Sequence, residues 1–389
     1  MEKTPLSMRK HIVIFGNTNS GKSSLFNALL GQDVSIVSEV KGTTTDPVTK
    51  AMELIGYGPV AIVDTAGFDD ETQLGKKRVQ KTEEILKRAD LILWVNDINS
   101  PQESINFGAV PFVKIYTKCD KMEAGTIEEK ENKEPDAFFV KEYSEEELSA
   151  LMKKISEILK KQQPDDESLL KGLVPQGSFV VMVVPIDSAA PKGRLILPQV
   201  QAIRDCLDNK IKSIVVRPDM LEETLNEMPG ISLVITDSQA FFEVDKIVPA
   251  EIPLTSFSML LANQKGRIRQ LVDGAKRINS LQDGDNILMI EACTHSSTHE
   301  DIGKVKIPAL LQKKTGKKLN FTHLSGYDFP ENVDKYSLVI QCGGCMINKR
   351  TIQNRLEFLE EKNIPVTNYG VILSALNGIL ERTSKIFIK

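Results

Sequence analysis

Gly16-Asn17-Thr18-Asn19-Ser20-Gly21-Lys22-Ser23 constrains this chain more than any other stretch. An apolar run, His11-Ile12-Val13-Ile14-Phe15, leads into it, and a helical pattern over 24–30 leads out. The spacing is G-x-x-x-x-G-K-[ST] in the strand–loop–helix setting that this pattern requires. Its glycines let backbone N–H groups close around phosphate oxygens at a helix N-terminus, where the dipole favours an anion. In that role Lys22 reaches the β- and γ-phosphates and Ser23 puts its hydroxyl on Mg²⁺, with Ser24 beside it at the head of the helix. A chance Gly-rich turn is the alternative; the setting and the motifs that follow argue against it.

The chain has 389 residues, room for two or three domains. It is 41% hydrophobic and 26% charged, ordinary for a soluble globular protein. The net charge is −4 and no strongly basic tract occurs, which argues against nucleic acid as the main partner. No apolar stretch approaches transmembrane length, and the run at 12–15 is too short for a signal peptide core. A cytoplasmic protein without membrane contact is therefore expected. Five cysteines without a secretory signal read as reduced thiols, so clustered ones suggest metal.

Three further motifs follow the first in the order a guanine-nucleotide switch needs. In Lys41-Gly42-Thr43-Thr44-Thr45-Asp46-Pro47, Thr44 is the candidate to complete the Mg²⁺ shell when the γ-phosphate is present. Alone, this loop reads better as a Thr-rich surface segment. A buried strand at 60–63 ends in Asp64-Thr65-Ala66-Gly67, where Asp64 can hold the metal through water and the Gly67 N–H can bond the γ-phosphate. Strands at 91–95 and 112–116 follow, the second running into Thr117-Lys118-Cys119-Asp120. In a guanine-reading element of this form Asp120 accepts from the base and the Lys118 stem lies over it. Thr117 replaces the commoner asparagine, which predicts somewhat lower base affinity. The last base-contacting loop is expected near 138–142.

These motifs resemble the translation-factor-like GTPases that include the tRNA-modification GTPase MnmE. Asn19 lies where those proteins carry a K⁺-coordinating asparagine. Phe68, and not glutamine, follows Gly67. An apolar side chain cannot orient the attacking water. The resemblance thus implies slow, K⁺-stimulated hydrolysis, with the cation beside the β–γ bridge supplying the missing positive charge. The alternative is that Asn19 only stabilises the loop.

A helix over 145–161 closes the nucleotide domain, and the polar, Pro-containing stretch 162–168 reads as a linker. The βα pattern then restarts: strands at 179–184, 213–216 and 231–236, helices at 199–208 and 219–226. No catalytic cluster falls there; Asp187, Arg194 and Cys206 read as structural or surface residues. A third unit carries helices at 255–262, 267–279, 350–361 and 371–380 and strands at 287–290 and 337–340. The expected architecture is α/β: a P-loop GTPase domain (1–165), a middle α/β domain suited to dimerisation (175–248), and a third α/β domain (249–389).

Cys293-Thr294-His295 and Cys342-Gly343-Gly344-Cys345 both follow predicted strands, where ligands collect in open α/β sheets. Three sulfurs plus one nitrogen suit tetrahedral Zn²⁺. Three sulfurs also suit a 4Fe-4S cluster whose fourth iron is held by something weaker. Three free core thiols are the bland alternative. Composition does not separate zinc from iron–sulfur.

Across essentially its whole length the chain resembles the HydF family of FeFe-hydrogenase maturation GTPases. The first motif and the two cysteine groups carry that resemblance. The family signature is C-x-H, a long spacer, then H-C-x-x-C; here Gln341 stands in place of the second histidine. The resemblance implies a 4Fe-4S cluster on Cys293, Cys342 and Cys345, with His295 as ligand or pocket lining and His299 and Glu300 as local substitutes for a fourth ligand. It further implies a scaffold that takes a di-iron unit carrying CO and CN⁻ from radical-SAM maturases to the apo-hydrogenase. GTP hydrolysis would gate partner contacts through the switch loops. A homodimer is expected. The rivals are an RNA- or ribosome-associated GTPase with a structural zinc site, and a redox sensor in which the cluster controls the GTPase.

Overall fold

The computed structural model describes residues 6–31, 38–40, 48–65, 82, 85–101, 105–162, 168–186, 193, 195–291, 302–325, 329–330, 332–344 and 347–388. The chain divides into two compact units, 1–164 and 165–389.

The first unit is built on a seven-stranded sheet in the order β2-β3-β4-β1-β5-β6-β7. Its strands are β1 (Lys10–Phe15), β2 (Ser38–Val40), β3 (Val48–Leu54), β4 (Gly58–Asp64), β5 (Leu91–Asp97), β6 (Phe112–Thr117) and β7 (Phe138–Phe139). From β4 through β7 neighbouring strands run parallel; β2 and β3 are antiparallel additions. The central strands are nearly continuous Val/Ile/Leu runs, as expected when both faces are covered. One face carries α1 (Lys22–Gly31) and α3 (Glu145–Lys161), and α2 (Ala124–Lys133) precedes β7.

α3 shows why these residues form a helix. Ser144 caps it by accepting from the Glu147 N–H at 3.2 Å. Glu145, Glu146 and Glu147 open the helix and Lys160 and Lys161 close it, matching the dipole. Leu148, Leu151, Met152, Ile155 and Leu159 form the buried stripe.

The second unit holds two four-stranded parallel sheets. The first has the order β11-β10-β8-β9, from β8 (Phe179–Val183), β9 (Lys212–Val216), β10 (Ile231–Thr236) and β11 (Leu254–Ser256). Its helices are α4 (Leu197–Asp208), α5 (Leu221–Glu227) and α6 (Phe241–Ile247). Next come α7 (Phe257–Lys265) and α8 (Ile268–Ala275). The other sheet has the order β13-β12-β14-β15, from β12 (Asn286–Glu291), β13 (Asn320–Ser325), β14 (Leu338–Gln341) and β15 (Val366–Asn368). It carries α9 (Ile307–Thr315), α10 (Lys349–Glu361), α11 (Tyr369–Leu376) and α12 (Leu380–Ser384).

Three sequence expectations are corrected here. Residues 255–256, expected to begin the third unit's first helix, instead join Leu254 in β11 and pair with β10 of the middle sheet. That strand is short because Ser256 ends it by capping α7, accepting from the Met259 N–H. The helix expected over 371–380 is two, since Gly378 takes a left-handed φ of +79° between them. The helix expected over 267–279 ends at Ala275 and tightens into a 3₁₀ turn at Lys276–Ser280.

Candidate functional site

Parallel strands end on the same edge, so β1, β4, β5 and β6 deliver their C-terminal residues to one rim. Phe15 runs there into the glycine loop, β4 ends in Asp64, β5 in Asp97 and β6 in Thr117. The loop between β1 and α1 can approach the sheet only through glycine. Gly16 has φ +154°, and a Cβ on it would lie 2.1 Å from the Val95 carbonyl oxygen. Gly21 has φ +93°, and its Cβ would meet the Thr117 hydroxyl at 3.1 Å. Asn19 holds a left-handed φ of +61°, which asparagine tolerates better than most residues, and is exposed. The two glycines thus let the loop lie directly against the ends of β5 and β6.

Lys22 opens α1, is 7% exposed, and donates from Nζ to the Asn17 carbonyl at 2.6 Å. Its ammonium thus lies across the mouth of the loop. The Ser23 hydroxyl donates to Asp64 Oδ2 at 3.0 Å. Asp64 Oδ1 and Ser20 Oγ are buried and lack a partner among the described residues. Burial pushes the Asp64 carboxyl up, against the pull of the Ser23 hydroxyl and Lys22. A dehydrated carboxylate oxygen beside a hydroxyl, next to a glycine cradle and a lysine, fits Mg²⁺ and a nucleotide phosphate. Ser24 is exposed at the head of α1.

A carboxyl whose folded pKa is raised contributes stability when protonated and loses it as pH climbs through the raised value. Without nucleotide or Mg²⁺, Asp64→Asn is therefore expected to raise the melting temperature at neutral pH. It is also expected to lose the further rise that wild type shows with GTP and Mg²⁺. Thermal melts of both proteins, with and without ligand, check this; equal ligand-free melting temperatures would contradict the dehydrated carboxylate.

Thr117 is fully buried, and its hydroxyl donates to the Ser20 carbonyl at 2.6 Å and lies 3.2 Å from that of Asn96. It ties the glycine loop to the ends of β5 and β6. Lys118 has φ +58°, and its ammonium bonds Asp97 Oδ2 at 2.7 Å. Burial alone would raise the Asp97 carboxyl, but bonds from Lys118 and Asn99 outweigh it and hold it below the usual range. Asp97 was missed in the sequence; its position at the end of an apolar strand was the available signal. Asp120 is exposed at the rim, and Cys119 beside it is buried, its thiol pushed up to about 11 by desolvation. Thr44 and Gly67 lie outside the described residues.

In the second unit β12 and β14 are neighbours, with Ile290 paired to Gln341. The Cys342 N–H donates to the Ile290 carbonyl at 2.8 Å, so Glu291 at the end of β12 lies level with Cys342. The Cys342 thiol is half-buried and accepts from the Gly344 N–H at 3.4 Å. Gly344 is left-handed at φ +64°, and a Cβ there would meet Ile352 at 2.8 Å. Gln341 is 4% exposed, and its Oε1 lacks a partner among the described residues. Cys293, His295, His299, Glu300 and Cys345 lie outside the described residues. Among the described residues no cluster of three or more metal-ligating side chains occurs. The Cys342 sulfur, half-buried in a glycine-constrained turn and accepting from an N–H, has the exposure that a metal ligand needs. Cys206 does not, since burial pushes its thiol up to about 11.

Comparison with known proteins divides the chain similarly. Residues 11–164 match the family described as 50S ribosome-binding GTPase. Residues 169–266 match the hydrogen maturase F dimerization domain, and 269–386 its tetramerization domain. Curated relatives are tRNA modification GTPases MnmE. That of Bordetella parapertussis is 36% identical over 122 residues, 29% of this chain and 27% of the relative. That of Legionella pneumophila strain Corby is 38% identical over 119 residues, 28% and 26%. The chain thus spans about a quarter of the length of these relatives. Among solved structures, the G domain of T. maritima FeoB aligns over 40% of this chain and 99% of its own, with TM-score 0.28 and 17% identity. Era bound to MgGDPNP and ribosomal RNA aligns over 54% and 93%, with TM-score 0.29 and 19% identity. Among the described residues no helix is long and apolar enough to cross a membrane. The first unit is a P-loop GTPase domain, and the two domains described as hydrogen maturase F dimerization and tetramerization domains follow it over more than half of the chain. By these matches the chain belongs to the hydrogen maturase F (HydF) family.

Proposed function

We propose that this GTPase of hydrogenase maturation is a scaffold and carrier. It holds a 4Fe-4S cluster on Cys293, Cys342 and Cys345, receives a di-iron precursor from radical-SAM maturases, and passes it to apo FeFe-hydrogenase. The observation that carries the reading is the Cys342 loop at the C-terminal end of β14, beside the end of β12, in a chain of this family. His295, Glu300 or His299 completes the ligand set weakly, and weak ligation suits a carrier that must release its cargo. A 4Fe-4S centre there would supply an exchangeable iron position. The chain's own part is to hold the thiolates, with the Gly344 N–H bonded to Cys342 and Gln341 buried beneath. A homodimer through residues 175–248 is part of this reading, as is a boundary near 165 with the remainder, 249–389, as the cluster domain. The compartment is the cytoplasm.

In the nucleotide domain Gly16, Asn17, Asn19, Ser20, Gly21 and Ser24 cradle the phosphates. Lys22 neutralises developing charge on them, Ser23, Thr44 and Asp64 serve Mg²⁺, and Gly67 contacts the γ-phosphate. Thr117 and Lys118 shape the pocket in which Asp120 reads guanine. The nucleotide state gates contacts with partners.

Anaerobic purification tests the carrier reading. Wild type is expected to be brown with iron and sulfide in equal amounts, and Cys342→Ser to lose both the colour and most of the iron. A colourless zinc protein would instead favour a ribosome-associated GTPase, the reading to which the description of the first domain's family points. With cluster present, failure to activate apo-hydrogenase in a reconstituted maturation system would leave the redox-sensor reading.

Hydrolysis is expected to be slow and to rise by roughly tenfold, about 1.4 kcal/mol of barrier, when K⁺ replaces Na⁺ at equal ionic strength. Asn19→Ala should remove that difference. Phosphate release in the two salts decides it, and equal rates in wild type would end the K⁺ proposal.

A further inference from the structure

Asp97 closes β5 and lies beside Thr117, the last residue of β6. Both of its carboxylate oxygens face donors. Oδ2 accepts from the Lys118 ammonium at 2.7 Å, and Oδ1 accepts from the Asn99 N–H at 2.9 Å and from the Asn99 side-chain amide at 3.3 Å. The backbone around it is fixed as well. The Ile98 N–H donates to the Thr117 carbonyl at 3.2 Å, and the Ser100 N–H donates to the Asp97 carbonyl at 3.0 Å. Ile98 is buried in one apolar cluster with Tyr116, Cys119 and Ile127. An amide in place of the carboxylate could not serve both sides, because one of its two ends is itself a donor.

Lys118 is a residue that needs such a holder. Its backbone is left-handed, at φ +58° and ψ +30°, a region that a lysine keeps only where its surroundings offset the strain. It directly precedes the 3₁₀ turn Cys119–Lys121, which carries Asp120. Its long side chain is rich in rotamers, and laying it along a ligand costs that freedom. The ion pair removes part of the freedom beforehand. With side-chain exposures of 32% for Lys118 and 19% for Asp97, the pair is too open to add much to folding stability. Its effect therefore lies in where the lysine is held. With the ammonium turned to Asp97, the part of Lys118 left for a ligand is its apolar stem, which suits the face of a flat base and not its edge.

We propose that Asp97 is a positioning residue of the base pocket, which holds Lys118 in place before a guanine nucleotide arrives and so adds affinity for the base without reading it. This deepens, and rests on, the reading of Thr117-Lys118-Cys119-Asp120 as the base loop. Asp120 distinguishes guanine by its edge, whereas the Asp97–Lys118 pair serves the face that purines share. In this role Asp97 acts through Lys118, and no proton or bond changes at it.

The test measures binding of ribose-labelled fluorescent GDP and inosine diphosphate to the full-length protein, with stopped-flow dissociation rates and a melting curve for each variant. Inosine lacks the exocyclic amine of guanine. The variants are Asp97→Ala, Asp97→Asn, Lys118→Ala, Asp97→Ala combined with Lys118→Ala, and Asp120→Ala. Wild type is expected to prefer GDP, and Asp120→Ala to lose that preference. Asp97→Ala is expected to melt near wild type, to weaken both nucleotides about tenfold through faster dissociation, and to keep the wild-type ratio between them. Adding Asp97→Ala to Lys118→Ala is expected to cost no further affinity. Asp97→Asn should match Asp97→Ala, and it carries the comparison if Asp97→Ala does not fold. Wild-type dissociation in the Asp97 variants overturns the proposal, as does a changed ratio, a further loss in the combined variant, or loss of folding in both Asp97 variants. A wild type that binds the two nucleotides equally overturns the reading of the base loop and this inference with it. A wild-type preference for GDP with unaffected Asp97 variants overturns this inference alone.

Discussion

Lys22→Ala is expected to lower GTP turnover by about 10²–10³-fold, some 3–4 kcal/mol of transition-state stabilisation. The size follows from where the ammonium sits. It is 7% exposed, at the head of α1, and held 2.6 Å from the Asn17 carbonyl across the mouth of the glycine loop. A cation fixed there before nucleotide arrives requires no reorganisation when charge develops on the phosphates. Among the described contacts its removal takes away the bond to the Asn17 carbonyl, about 1 kcal/mol net, so the fold should persist. Single-turnover phosphate release together with a melting curve separates the two effects. A variant that melts like wild type and hydrolyses GTP at the wild-type rate would remove Lys22 from the mechanism. A variant that is slow only because it has unfolded would show in the melt.

Gly16→Ala should have the other large effect, on folding and binding together. The new methyl would stand 2.1 Å from the Val95 carbonyl oxygen, and the backbone there has φ +154°. The obstacle is the backbone of β5, a central strand, so no side-chain rotation relieves it. A destabilisation of about 2–4 kcal/mol is expected, at the upper end for an overpacked site. Because the loop can relieve the clash only by lifting off the sheet, nucleotide affinity should fall with it. Denaturant unfolding and binding of a fluorescent GTP analogue measure both. Gly21→Ala is a graded comparison, since its methyl meets the Thr117 side chain at 3.1 Å, a milder overlap than that with the Val95 carbonyl. Wild-type stability in Gly16→Ala would mean that the loop does not approach β5 as described.

The central strands and the glycine loop were legible because their signals are local. Phe15, Asp64 and Thr117 each end an apolar run, and a buried parallel strand writes itself as such a run. β13 and β15 were not read. β13 is an edge strand whose residues are mostly exposed or half-exposed, so Asn320–Ser325 shows no apolar alternation. β15 is three residues long, below the length at which periodicity exists. The last two residues of β11, Thr255 and Ser256, read as helix because they run without a break into the apolar start of α7.

The candidate sites divide in the same way. Residue types and spacing alone pointed to Gly16, Lys22, Ser23 and Asp64, because backbone freedom, a long cation, a hydroxyl and a carboxylate are each required at a set distance along the chain. They also marked the two cysteine groups as worth bringing together. Only the tertiary structure joined Thr117 to Ser20 and Lys118 to Asp97. Thr117 and Ser20 stand 97 positions apart, and Lys118 and Asp97 stand 21 apart. A hydrogen bond depends on separation in space, and separation along the chain carries no trace of it until the sheets have set which strand ends are neighbours.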